Sequence, residues 1–111
     1  METVKPQEQI QAEFEQAAQA RARGNEGQAR VCARRAAGIA ARAYLTRRGK
    51  IIRTPSAYDV LNLLAEDSTL SAELRQIARH LTLRVDEEFK LPPNMDLMAE
   101  ARKLCEELLN Q

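Results

Sequence analysis

Tryptophan is absent from this chain of 111 residues, and phenylalanine and tyrosine occur only twice each. With so few rings to supply bulk, a core has to be assembled from smaller side chains. Hydrophobic residues make up 44% of the sequence, but much of that share is alanine. Alanine lets helices approach closely while removing little apolar surface from water. A thin core of this kind gains by covering one face with a second copy, so a homodimer is expected. Histidine occurs once, as His80, which excludes a multi-histidine metal site within one chain. The two cysteines, Cys32 and Cys105, stand far apart, each inside an apolar helical pattern. There a thiol acts as a small buried hydrophobe, so neither a disulfide nor a metal site is expected, and no cofactor is implied.

The motifs that announce common enzymes are also missing. There is no glycine-rich phosphate loop, no Cys-x-x-Cys pair, no His-Glu-x-x-His and no Gly-x-Ser-x-Gly elbow. No stretch approaches the roughly 18 consecutive apolar residues of a membrane span. The first residues, with Glu2, Pro6 and Glu8, contain no signal-peptide core. A cytoplasmic protein without membrane contact is therefore expected. The length suits one domain, taken here as 1–111.

What remains is helical. With Gly and Pro as punctuation, five segments can be read, and no alternating run is long enough for a strand. The first spans about Pro6 to Arg23, with Ile10, Phe14, Ala17, Ala18 and the stem of Arg21 facing inward, and turns at Gly24-Asn25-Glu26-Gly27. The second runs from about Gln28 to Arg48 and stops at Gly49. Its apolar arc holds Ala29, Cys32, Ala33, Ala36, Ala37, Ile39, Ala40, Ala43 and Tyr44, with Arg30, Arg34, Arg35 and Arg42 opposite. Ser56 caps a third helix containing Ala57, Val60, Leu61, Leu63 and Leu64. A fourth starts at Ser71 with Leu74, Ile77, Ala78, Leu81 and Val85 inward, and Leu91-Pro92-Pro93-Asn94 is a stop. The last spans about Met95 to Leu109, with Met98, Ala101, Leu104, Cys105 and Leu108 inside. The expectation is an all-α, up-and-down bundle of four to five helices.

Charge is segregated within this frame. The stretch from Arg21 to Arg53 carries ten basic residues against one acid, a net of +9 in a chain whose total is only +1. Arginine's planar fork binds phosphate bidentately, so Arg30, Arg34, Arg35 and Arg42 on one helix face suit a nucleotide, an RNA backbone or an acidic partner protein. The plainer alternative is pairing within the bundle, with Glu13, Glu15, Glu66 or Glu100 as counter-charges. Aromatic side chains are too sparse near this face for stacking on single-stranded bases.

A second feature is Arg75-Gln76-Ile77-Ala78-Arg79-His80. A histidine can exchange the proton of a ribose hydroxyl while an arginine neutralises the phosphate, which together cleave RNA without a metal. Five residues along a helix place the two side chains about 140° apart, so a second protomer or a kink is needed to bring them together. The alternative is that His80 is a packing residue at the edge of the Leu74/Ile77/Leu81 stripe.

The run Arg35-Ala36-Ala37-Gly38-Ile39-Ala40-Ala41-Arg42-Ala43-Tyr44-Leu45 resembles the second-helix signature of HEPN-domain proteins (higher eukaryote and prokaryote nucleotide-binding), agreeing in character at Ala36, Ala37, Ala40, Arg42, Ala43 and Leu45. The helix Ser56-Ala57-Tyr58-Asp59-Val60-Leu61-Asn62-Leu63-Leu64 is similar to the family's next one, and the likeness fades through the C-terminal third. The resemblance implies a dimeric HEPN-like bundle of four or five helices. Some members are metal-independent endoribonucleases of toxin–antitoxin or defence systems with an Arg-x4–6-His motif, whose spacing Arg75 and His80 match. Others lack activity and bind nucleotides or partner small nucleotidyltransferases. Here Gln76 stands where an Asn often follows the arginine, and Thr82 where toxin members carry a Tyr. Two functions follow as expectations: a non-catalytic dimeric binding module presenting the arginine face, or a ribonuclease using Arg75 and His80.

Overall fold

The computed structural model describes residues 5–83 and 96–110. These residues form five α-helices and no strand: α1 (Pro6–Ala22), α2 (Glu26–Arg47), α3 (Ala57–Ala65), α4 (Ala72–Leu81) and α5 (Leu97–Leu109). The fold is the all-α bundle expected from the punctuation. The expected inward place of Val85, the Leu91–Asn94 stop and the start at Met95 lie outside the described residues.

The helix ends follow from local chemistry. Pro6 occupies the first turn of α1, where its missing N–H has no partner to lose. Gly24 ends that helix at φ 78°. Asn25 then caps α2 by accepting from the Gln28 N–H at 3.1 Å, so Glu26 and Gly27 are already helical rather than part of the turn. Gly49, at φ 86°, follows the end of α2. Ser56 accepts from the Asp59 N–H and Ser71 from the Leu74 N–H, while Asp96 accepts from both the Met98 and Ala99 N–H groups.

Consecutive helices pack on one another, and α5 returns to lie on α2. That makes α2 the central element, in contact with α1, α3 and α5. Of its ten buried residues six are alanine and one is glycine, so the neighbours sit close to its backbone. Bulk comes from outside it: Leu61, Leu64, Leu81, Leu104 and Leu108 are fully enclosed, each contributing about 1.5–3 kcal/mol by burial.

Burial departs from the sequence reading in a few places. Ala18 is exposed and Ala20 is buried instead, because α1 presents a narrow stripe to α2. Arg21 is exposed and spans to Glu26 at 2.8 Å and Asp96 at 3.2 Å, tying the α1–α2 turn to the start of α5. On α3, Leu63 is 45% exposed and Ala57 half-buried. On α2, Ile39 and Ala43 are half-buried, whereas Gly38, Ala41 and Leu45 are buried. At about 100° per residue these last three form a stripe that runs through the expected arginine arc. The arc is the seat of α3.

Hydrogen bonding from Arg21, ahead of the two backbone N–H groups it caps, holds the Asp96 carboxyl below its ordinary value. A depressed carboxyl contributes stability above its unfolded value, and the contribution is lost as pH falls through the folded one. Asp96→Asn keeps the cap but not the charge. It is expected to cost under about 1 kcal/mol at neutral pH, since the pair is half-exposed, and to flatten the loss of stability below roughly pH 4 in urea unfolding across pH.

Candidate functional site: an arginine-lined groove between α2 and α3

The stripe that seats α3 divides the four candidate arginines. Arg34 lies on the stripe itself, four residues before Gly38. Its guanidinium turns to the C-terminal end of α4, Nε donating to the Leu81 carbonyl at 2.6 Å and Nη2 to the Leu83 carbonyl at 3.3 Å. Carbonyls at a helix end lack intrahelical partners and carry the negative end of the dipole, so a guanidinium fits there. Arg47 does the same for α5, donating to the Leu108 carbonyl at 2.7 Å. Arg48 lies over the Tyr44 ring and Arg102 over the Phe14 ring. Part of the cationic stretch is thus used to hold helix ends together, with backbone carbonyls as partners of Arg34 and Arg47 where the sequence reading offered acidic side chains as counter-charges to the arginines. Arg30 is half-buried beside the stripe, one turn before Arg34.

Arg35 and Arg42 lie on the other flank and line one groove of about 300 Å³. Seven positions apart, they stand two turns from each other, about 10 Å along the axis, with Gly38 and Ile39 forming the floor between them. Pro55 and Ala57, at the start of α3, make the opposite rim. A Cβ on Gly38 would stand 2.6 Å from the Ala57 Cβ and 3.0 Å from its Cα, so glycine is what lets α3 begin there. Glu13 on α1 closes one end. Its Oε1 is 4.0 Å from Arg35 Nη1, within electrostatic reach but beyond a hydrogen bond, and that oxygen is buried without a hydrogen-bond partner. Arg35, Arg42 and the positive end of α3 therefore line a common space, with Glu13 at its end. The arrangement suits an anion, and the sequence contains its signal: arginines at i and i+7 with a small residue between them.

His80 is placed differently. Its Nδ1 is 2.7 Å from Glu100 Oε1, and its Nε2 is 2.9 Å from the Gln76 amide nitrogen. One neutral tautomer satisfies both contacts, Gln76 donating to Nε2 and Nδ1–H donating to Glu100. The sequence reading offered Glu100 to an arginine; in the structure it links α5 to α4 through the histidine. Arg75 is half-buried, with Nε enclosed and unpartnered. α4 is continuous from Ala72 to Leu81, so the five-residue separation keeps Arg75 and His80 on different faces of one helix.

Cys32 and Cys105 are buried free thiols, and burial pushes the Cys105 thiol up to about 12, far from a reactive thiolate. Among the described residues no group of three or more His, Cys, Asp or Glu side chains is gathered closely enough to hold a metal ion. No helix among them is long and apolar enough to cross a membrane. Comparison with protein-family models, with curated proteins and with solved structures found no match.

Arg34→Met tests the division of the arginines. Losing two charge-assisted bonds to the end of α4 is expected to cost about 1–2 kcal/mol in urea unfolding, whereas the exposed Arg53→Met should stay within about 0.5 kcal/mol of the parent.

Proposed function

We propose that the protein is a non-catalytic, HEPN-like binding module whose arginine groove takes a phosphate group of a nucleotide or of RNA. The observation that carries this reading is the convergence of Arg35 and Arg42 on one groove at the start of α3, where neither guanidinium caps a helix end. The binding surface is narrower than the four-arginine face expected from the sequence, since Arg34 is committed to α4. A homodimer fits the thin core, and Ile51 and Leu63 are the large exposed apolar side chains among the described residues that can contribute to its interface. An acidic partner protein, such as a nucleotidyltransferase, is the alternative occupant of the same cationic surface.

The ribonuclease reading has one observation in its favour. Glu100 orients the His80 ring with Nε2 as the accepting nitrogen, as a general base requires. Against it, Gln76 occupies that nitrogen, and Arg75 lies elsewhere on the helix.

Titration of AMP and a short single-stranded RNA by calorimetry, over a series of salt concentrations, tests the proposal. Affinity is expected to fall steeply with salt and to drop about tenfold or more in Arg35→Gln and in Arg42→Gln, with Arg30→Gln near the parent. RNA kept with the protein in EDTA should remain full length. Absent or salt-independent binding overturns the nucleotide reading, and cleavage abolished by His80→Ala would favour the enzyme.

A further inference from the structure

The connector between α2 and α3 lies beside the outer face of α3, and the two carry opposite charges. On α3, Asp59, Leu63 and Glu66 are all exposed and fall within about 60° of arc, so Leu63 stands between two acids. On the connector, exposure alternates from Ile51 to Pro55, the two-residue period of extended chain, with Ile52 packed on the core. Ile51 therefore points outward, flanked by the exposed cations Lys50 and Arg53. At 79% and 45% exposure, Ile51 and Leu63 are the large hydrophobic side chains left open among the described residues. Two observations set the direction of one strip against the other. Thr54, near the end of the connector, donates through Oγ1 to Asp59 Oδ2 at 2.9 Å. Hydrogen bonding by Thr69, with the charges of Arg48 and Lys50 behind it, holds the Asp67 carboxyl below its ordinary value, so the connector begins beside the end of α3. The strips thus run antiparallel, Arg53 at the Asp59 end and Lys50 at the Glu66 end, with Ile51 and Leu63 between.

We propose, extending the dimer reading above, that two copies meet on this face about a twofold axis parallel to α3, each copy's Lys50, Ile51 and Arg53 covering the other's Glu66, Leu63 and Asp59. An axis along the strips exchanges the basic side for the acidic one and keeps the ends matched, so each contact occurs twice. An axis across them would set cations on cations. The strips have similar reach: Asp59 to Glu66 spans about 10 Å of helix, and Lys50 to Arg53 at most about 10 Å of extended chain. Among the described residues Lys50, Arg53 and Glu66 have no salt-bridge partner within the chain, so a second copy supplies their counter-charges. RNA or an anionic membrane would instead meet Asp59 and Glu66 beside the cations it approached. With two large apolar side chains from each copy the interface is at the small end, and the dimer is weak and salt-sensitive.

Sedimentation equilibrium at low salt compares the wild type, Lys50→Glu, Glu66→Lys and an equimolar mixture of the two variants, with a circular dichroism melt to confirm that each is folded. In a homodimer of either variant like charges face each other twice, and dimerisation is expected to weaken about tenfold or more. In the mixture each reversed charge meets its opposite, so a heterodimer of near wild-type strength is expected. If neither reversal weakens the wild-type dimer, this face is overturned and the dimer reading stands. Weakened variants whose mixture recovers nothing overturn the twofold pairing. A wild type still monomeric at about 1 mM overturns the face and the dimer together, and its binding to phosphatidylserine vesicles would then give Ile51 and its cations to a membrane. Phosphate binding at the α2–α3 groove is read by its own titration and does not depend on these outcomes.

Discussion

The approach of α3 to α2 at Gly38 governs much of the rest of the molecule. With a Cβ on Gly38 the start of α3 could not lie where it does, since that atom would meet both the Cβ and the Cα of Ala57. The same economy runs along α2, whose buried alanines let α1 and α5 close on it as well. Contacts made mainly by small side chains tolerate little error, because each methyl group displaced sits next to backbone rather than to a flexible side chain. The enclosed leucines of α3, α4 and α5 then supply apolar area that α2 cannot.

Charge is arranged around this geometry. By seating α3 within the arginine arc, the structure divides one cationic face into two environments. On one side Arg34 reaches the last carbonyls of α4, and further along the helix Arg47 reaches the end of α5. Arg35 and Arg42, on the other, remain at a groove with the start of α3 opposite them. The net +9 of the segment is thus not one uniform cationic face: part of it compensates helix ends, and Arg35 and Arg42 line the groove.

Most of the architecture was legible in the sequence because it rests on local rules. Pro6, Gly24, Gly49, Ser56 and Ser71 mark helix ends through backbone conformation and capping, which need no tertiary knowledge. The second buried stripe of α2 was not legible, since a simple amphipathic reading allows one buried face and α2 has neighbours on several sides. Gly38, Ala41 and Leu45 are apolar or small enough to pack there, but so are residues that are exposed, such as Ala18. The site was half legible. Arginine composition singled out Arg35 and Arg42, yet only packing separates them from Arg34. Glu13 and Glu100 looked like ordinary helix-surface acids; what distinguishes them is the neighbour each meets from another helix, Arg35 and His80 respectively.

The central claim is that the α2–α3 approach requires a residue without a side chain at position 38, and urea unfolding of Gly38→Ala beside Gly27→Ala tests it directly. Both substitutions improve helix propensity by up to about 1 kcal/mol, and Gly27 has no close neighbour to obstruct a Cβ, its nearest being Asn25 Oδ1 at 3.8 Å. The account predicts that Gly27→Ala is neutral or stabilising, that Gly38→Ala loses about 1 kcal/mol or more despite the same propensity gain, and that adding Ala57→Gly recovers part of the loss. A Gly38→Ala protein as stable as Gly27→Ala would contradict it.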